Sequence, residues 1–478
     1  VGRGALVGLL LGVLLFAAPH ARARLSAVDA HPARAIAAIT AGAPTTKLPR
    51  SFFGLSVEYP ELPMYEQFLP SFERILGLLK VGDDGPQVLR VGGNSADVTF
   101  WNPRGTTLPR GAYVLSSHWF SQFATLILES RLRVLLDLNL KTSTAGQARG
   151  LVQEALARFP AGSIAGLEFG NEPDQYGGGY SPARYVQAFK AYAHAMAKTA
   201  PSLPFLGPAV TSTDNNFNWL RAVASGDHSQ LGVLDGHEYP LAACENPGDP
   251  GYPTVEKILS ASLINGYAAS VRPAVVLAHR AHRPFRLDET NSVTCGGRPR
   301  VSDTFSTALW APDALFSLLR TGLDAVNFHV RPTKINGPLA LGTGGFIARP
   351  LFYGLLLFAR TASPGGQLLR VSQTVPPSSR LSAWAVKVTG GAIHVLLINK
   401  ASSALTVRLR LRSRTAAVVE RLLAPSARAT DGVTFGGQKL GADGVMKGTP
   451  VSETVTARGG SYQVKVGPTS AVLVEVQR

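Results

Sequence analysis

The sequence predicts an α/β fold, a (β/α)8 TIM barrel, with an all-β sandwich domain behind it. The first observation is length: 478 residues suit a barrel of roughly 250–300 residues plus a module of about 100. The second is a rhythm of short apolar runs rich in Val, Leu and Phe, alternating with longer amphipathic stretches, as repeated βα units do. The third is that this rhythm stops near residue 372. Beyond it, strand-like runs are separated by Gly, Ser and Asp clusters with no helical pattern.

Taken in order, residues 1–23 read as a signal peptide. Arg3 supplies a positive n-region, residues 5–18 are apolar, and Ala21-Arg22-Ala23 is an A-x-A site with cleavage expected after Ala23. The expected location is secreted or extracytoplasmic, with an uncleaved anchor as the alternative. Residues 24–49, rich in Ala, Arg and Thr, are expected as a linker or an edge strand. The barrel is expected over 50–362. Its eight strand-like runs are 52–58, 87–92, 133–139, 164–169, 204–209, 233–239, 284–289 and 324–329. Helical patterns follow several of them, at 144–158, 181–198 and 306–320, and Ser181-Pro182 has the look of an N-cap with proline in the first turn. A doubly wound open sheet would need a Gly-rich phosphate loop after its first strand. Tyr59-Pro60-Glu61-Leu62-Pro63 stands there instead. The sandwich is expected over 363–478.

Composition narrows the function classes. Hydrophobics at 45% and charged residues at 16% exclude a mainly disordered chain. Lys+Arg 47 against Asp+Glu 31 give a net charge of +16, which favours anionic partners. The cations are scattered, however, with no dense basic run and no interleaved aromatic stripe, so nucleic acid is not an expected partner. No segment beyond the leader is apolar enough to span a bilayer, so stable membrane insertion is not expected, and the chain is expected as a monomer. The two cysteines, Cys244 and Cys295, are read as one disulfide in an exported protein, two separate buried thiols being the other reading. No metal site and no cofactor are expected, because no third ligand accompanies His237 or His329 at suitable spacing.

A barrel gathers its chemistry at the C-terminal ends of its strands. The fourth run ends Phe169-Gly170-Asn171-Glu172-Pro173-Asp174 and the seventh ends Asp288-Glu289-Thr290-Asn291-Ser292. Glu58 closes the first, Gly92-Gly93-Asn94 the second and His237-Glu238-Tyr239 the sixth. Two glutamates facing each other across one mouth are the minimum equipment for glycoside hydrolysis, one as the acid and one as the ionised nucleophile. A single strand-end glutamate reads as a helix cap or an arginine partner; the pair, with Asn171 beside it, reads as catalytic. Strand alternation puts Glu238 opposite Tyr239 and outside the site. His237 and His329 are read as wall residues, and Asp137 as a structural partner.

The motifs Leu89-Arg90-Val91-Gly92-Gly93-Asn94, Phe169-Gly170-Asn171-Glu172-Pro173-Asp174, Asp235-Gly236-His237-Glu238-Tyr239 and Asp288-Glu289-Thr290-Asn291-Ser292 occur in that order. Cys295-Gly296-Gly297 and Val301-Ser302-Asp303-Thr304-Phe305 follow them. Together they resemble glycoside hydrolase family 79, the heparanase and β-glucuronidase family, in an exported bacterial form. The resemblance runs from about residue 52 to 358, and the trailing β-domain suits it.

It implies a retaining hydrolase of β-glycosides, most of all β-D-glucuronides, with a carbohydrate substrate that includes uronic-acid glycans. Glu172 would be the acid/base, Glu289 the nucleophile, Asn171 the partner of the sugar 2-hydroxyl, and Tyr239 the residue orienting Glu289. Glu58 and Asn94 would hold other hydroxyls, and the loop of Thr294, Gly296 and Gly297 would meet the sugar carboxylate through backbone amides. Two tyrosines common in the family are absent, one in that loop and one beyond the eighth strand. Arg331 and Lys334 are the cationic candidates to replace them, and a neutral β-glucoside or disaccharide glycoside is the alternative substrate. A non-catalytic binder of anionic polysaccharide is the alternative of another class.

Overall fold

The computed structural model describes residues 36–477 apart from 83–84, 227–230, 377–378, 412 and 414. The leader expected at 1–23, and its cleavage site, lie outside the described residues. Among the described residues no helix is long and apolar enough to cross a membrane.

Eight parallel strands close a barrel. They are Phe53–Glu58, Val88–Gly92, Arg133–Leu138, Ile164–Phe169, Phe205–Val210, Leu231–Glu238, Phe285–Thr290 and Ala325–His329, paired in sequence order with the eighth back on the first. Each coincides with one of the apolar runs. Barrel strands are buried on both faces, which is why they read as continuous apolar runs rather than as alternation. The connecting helices carry their own stop and start signals. Thr144 and Gln147 form a reciprocal capping box ahead of Ala145–Arg158, and Ser181 caps Pro182–Met196 with proline in the first turn. Helices Phe305–Arg320 and Pro350–Ala362 are buried on nearly every side. A helix apolar all round belongs between two layers, and these two lie between the barrel and the C-terminal sheet, in one core cluster with Trp384, Leu396, Ile398 and Leu473.

The C-terminal region is a ten-stranded sheet. Alternate residues of one strand serve two cores. Val395 and Leu397 pack with Val407, Leu409, Val464 and Val474 inside the β-domain, while Leu396 and Ile398 face the barrel helices, as a side-chain period of two requires. Val407 and Val395 come from opposite halves of the strand order, so the sheet wraps around that inner core. A buried polar clasp fastens the two regions: Asp313 on a barrel helix accepts from Trp384 Nε1 at 2.7 Å, from Ser382 at 2.8 Å and from Lys400.

One expectation needs correcting. Ile36–Lys47 is neither a linker nor an edge strand. It lies inside the C-terminal sheet, antiparallel to Gly366–Thr374 and parallel to Leu405–Arg410. Ala37 and Ile39 are fully buried in the β-domain core, so the segment that precedes the barrel completes the domain that follows it. A strand recruited from more than 300 residues away carries no local mark of its partners.

Candidate active site

The first four strands and the seventh meet at one arginine. Arg90, in the second strand, is fully buried. Its Nε donates to Glu168 Oε2 at 2.9 Å, its Nη1 to Glu289 Oε2 at 2.9 Å and to Ser56 at 3.1 Å, and its Nη2 to Asn171 Oδ1 at 2.9 Å. Burial alone would lower its pKa, but Glu168 and Asp288 outweigh that and hold it above the ordinary value. Arg90 therefore stands as a fixed cation under the mouth. The glycines of Gly92-Gly93-Asn94 have a steric reason here: a β-carbon on Gly92 would sit 2.4 Å from Asp137 Cβ, and one on Gly93, whose φ is +72°, 2.9 Å from Glu58 Oε1.

Glu289 is the most heavily held carboxylate. Besides Arg90 on Oε2, its Oε1 accepts Tyr239 Oη–H at 2.8 Å and faces His329 Nδ1 at 3.0 Å. Burial pushes its pKa up; His329, His237 and Arg90 more than reverse this and hold the carboxyl well below the usual range. The same pairing lifts His329 against its own burial. Glu289 is an anion in this site.

Glu172 stands otherwise. Its side chain is 22% exposed and bonds through Oε1 to His237 Nδ1 at 3.0 Å. Its backbone is left-handed, φ +47°, a conformation that costs a non-glycine residue about 1 kcal/mol. The turn is held by Glu172 N–H on Ala209 O at 2.9 Å and by Gln175 N–H on Glu172 O at 2.8 Å, strain of the kind stored at functional sites. Carboxylate oxygens of Glu172 and Glu289 lie within 4.8 Å of each other, with a nitrogen of His237 inside the same limit. Glu168, His237 and Asp288 make a second such triad, deeper and fully buried. Their oxygens could ligate a cation in principle, but Arg90 already supplies positive charge to Glu168, Asp288 and Glu289.

The other expected residues fall around this pair. Asn171 is buried between Arg90 and Asn94, donating to Asn94 Oδ1 at 3.1 Å. Glu58 takes Ser95 N–H on Oε2 at 2.7 Å, while its buried Oε1 has no hydrogen-bond partner among the described residues. Arg331 reaches that oxygen only at 3.6 Å and Glu61 at 3.8 Å. Burial pushes Glu61 up to about 7 despite His329 and Arg331 nearby. The unpartnered Nε atoms of Arg331 and His329 sit in the same corner.

Across the mouth, Cys244 and Cys295 are bridged. The bridge joins the loops after the sixth and seventh strands, which also pair through Thr294 N–H on Leu241 O at 2.9 Å. Thr294 thus acts in the structure through its backbone. Gly296, φ +79°, lies under Lys334: an added β-carbon would meet Lys334 Cδ at 3.2 Å. Gly297 is walled in, its β-carbon position 2.7 Å from Asn336 Cβ. Arg331 and Lys334 therefore occupy different places, one beside Glu58 and Glu61, the other across the loop of Gly296.

Glu238 turns away, bound to Thr213 N–H at 2.8 Å, and Asp137 is a buried partner of Arg90 at 3.4 Å. His237 and His329, read as wall residues, each contact one of the two glutamates. Motif reading assigns Arg90 no role of its own; its signal is a lone arginine inside an apolar barrel strand. His237 had one too, because it shares strand parity with Tyr239.

Residues 383–473 match the glycosyl hydrolase family 79 C-terminal beta domain. A beta-glucuronidase of Aspergillus niger is 22% identical across 98% of this chain and 97% of its own. The chain is a glycoside hydrolase, and the family it resembles is 79. In fold it is similar to a 4-O-alpha-L-rhamnosyl-beta-D-glucuronidase of Fusarium oxysporum, with a TM-score of 0.76 at 18% identity over 92% of this chain and all of that one. The family 51 arabinofuranosidase of Xanthomonas axonopodis follows at 0.70 and 14%, over 93% of this chain and all of that one. The barrel and β-domain are thus shared architecture, and its substrate is a carbohydrate.

Proposed function

We propose that the chain is a retaining β-glycosidase whose preferred substrate is a β-D-glucuronide. One observation carries the mechanism: carboxylate oxygens of Glu172 and Glu289 within 4.8 Å. Retaining enzymes bring their carboxyl groups to about 5–5.5 Å, whereas inversion needs roughly 6.5–9.5 Å to admit a water. In the first step a Glu289 oxygen attacks the anomeric carbon while Glu172 protonates the departing oxygen, leaving a glycosyl ester on Glu289. In the second, Glu172 takes a proton from water, the water oxygen attacks the same carbon, and the ester bond breaks. Arg90, Tyr239 and His329 keep Glu289 ionised for the attack, and Asn171, tied to Arg90 and Asn94, is fixed beside the sugar.

The glucuronide preference draws on the named activity of the Aspergillus relative and on Lys334 lying against Gly296, where a cation and fixed amides would suit a carboxylate. The leader-like residues 1–23 support export as part of the same reading. A neutral β-glucoside is the second reading, favoured by the absence of tyrosine from 331–337 and by Arg331 facing Glu58 and Glu61. A panel of nitrophenyl glycosides on the purified chain decides the sugar. Proton NMR of the first-formed product decides the stereochemistry. Early β-anomer from a β-glucuronide is the expected result; an early α-anomer defeats the retaining mechanism, and turnover confined to neutral glycosides defeats the glucuronide.

A further inference from the structure

We propose that the Cys244–Cys295 bridge is a specificity element. It fixes the tip of the loop after the seventh strand, so that free backbone donors there hold a sugar that carries a carboxylate. The inference rests on the glucuronide reading. Cys295, Gly296 and Gly297 have left-handed backbones in succession, φ +56°, +79° and +85°. The glycines adopt that conformation without steric cost and the cysteine does not. The residues on either side are anchored without the bridge. Thr294 N–H donates to Leu241 O at 2.9 Å, and Asn336 Nδ2 donates to Val293 O at 2.8 Å. Gly297 N–H returns to Thr294 O at 3.2 Å, Arg298 N–H donates to Ser302 Oγ at 2.9 Å, and the Arg298 guanidinium lies 4.2 Å over the Tyr252 ring. Between these anchors, the N–H groups of Cys295 and Gly296 have no hydrogen-bond partner among the described residues. Two unspent amides beside the Lys334 side chain suit an anionic group, provided that they stay in place.

The other end of the bridge is stiff. Lys257 Nζ donates to the carbonyls of Asp249, Pro250 and Tyr252 at 2.8, 2.9 and 2.8 Å. Ala242 N–H donates to Gly251 O at 2.9 Å, so the loop after the sixth strand closes on itself. The bridge carries that stiffness across to the tip. Both cysteines are exposed, so a small dithiol in solution can reach the sulfurs. In the exchange the S–S bond breaks and Cys244 and Cys295 become thiols. The dithiol gives up two electrons and two protons as it closes to its own disulfide. The tip is then free to move, and the carboxylate loses its fixed donors. The hydrogen bonds that hold Glu289 run to Arg90 and Tyr239 rather than to the tip, so the bond-breaking chemistry is left intact.

The experiment compares three forms on nitrophenyl β-glucuronide and nitrophenyl β-glucoside. They are the native chain, the native chain reduced with dithiothreitol, and the double variant Cys244→Ser with Cys295→Ser. Losing the bridge also relaxes the unfolded chain and lowers stability, so circular dichroism first establishes that each form is folded, and thiol titration that reduction is complete. The expected result is a KM for the glucuronide raised about tenfold with kcat within about twofold. The glucoside kcat/KM is expected to stay within about twofold, and reoxidation to restore the native KM for the glucuronide. Equal losses on both glycosides would show a general structural role and overturn the proposal, as would an unchanged KM after complete reduction. Should the double variant not fold, the reduced native chain decides. A native chain with no preference for the glucuronide removes the glucuronide reading and the proposal with it. A native preference that survives reduction defeats the bridge alone.

Discussion

Two glutamates share one mouth, and their surroundings differ as much as their proposed roles. Glu289 is nearly closed off from solvent and receives Arg90, Tyr239 and His329. Glu172 is more open and is held through one imidazole nitrogen. The same carboxyl chemistry is thus pushed toward a permanent anion in one place and left open to solvent in the other. Proximity alone does not achieve this; the fixed cation and donors on one side do.

The sharpest way to break that contrast is to remove each carboxylate in turn. Glu289→Gln is expected to lower kcat on the order of 10⁴-fold or more whatever the leaving group, since no other group forms the glycosyl ester. Glu172→Gln is expected to lose about 10² to 10⁴ with poor leaving groups and far less with dinitrophenyl glycosides. If steady-state rates across the series show the two variants losing activity in the same pattern, the division of labour is wrong. Next in size is the sugar side. Lys334→Ala is expected to reduce the kcat/KM preference for glucuronide over glucoside about tenfold, as for one charge-assisted hydrogen bond; an unchanged ratio removes Lys334 from carboxylate recognition. The smallest effect concerns charge. His329→Gln takes away the largest influence lowering Glu289, so that carboxyl rises toward its ordinary range. The acid limb of kcat/KM should then move to higher pH. A limb that stays put, or moves to lower pH, would show that His329 does not set the charge of the nucleophile.

Much of this is legible in the sequence. Barrel strands buried on both faces announce themselves as apolar runs, and functional groups at their C-terminal ends stand out against those runs. Glu172, Glu289, Asn171 and Tyr239 were therefore visible as a set. Period-two parity rightly turned Glu238 outward. The same rule, applied two residues earlier, would have brought His237 inward. Arg90 was visible as a lone charge in an apolar strand, but its five hydrogen-bond partners come from four other strands or their ends, and no local pattern lists them.

Asp288 shows where parity fails. Adjacent residues of a regular strand point to opposite faces, so Asp288 and Glu289 should not both face the barrel interior. The pairing of the sixth and seventh strands slips there: Leu287 opposes Gly236 and Glu289 opposes His237, leaving Asp288 as an extra residue. A bulge of this kind bends the strand and re-aims its side chains, and both carboxyls come within reach of His237. The sequence by itself determined the order of barrel and sheet, the strand ends that bear the glutamates and the cysteines available to bridge, because these follow from side-chain type and period. The recruitment of Ile36–Lys47 into the distant sheet, the slip at Asp288 and the convergence on Arg90 were decided only in the tertiary structure. Each depends on which segments lie side by side, and that is settled by burial and hydrogen bonding between strands far apart in the chain.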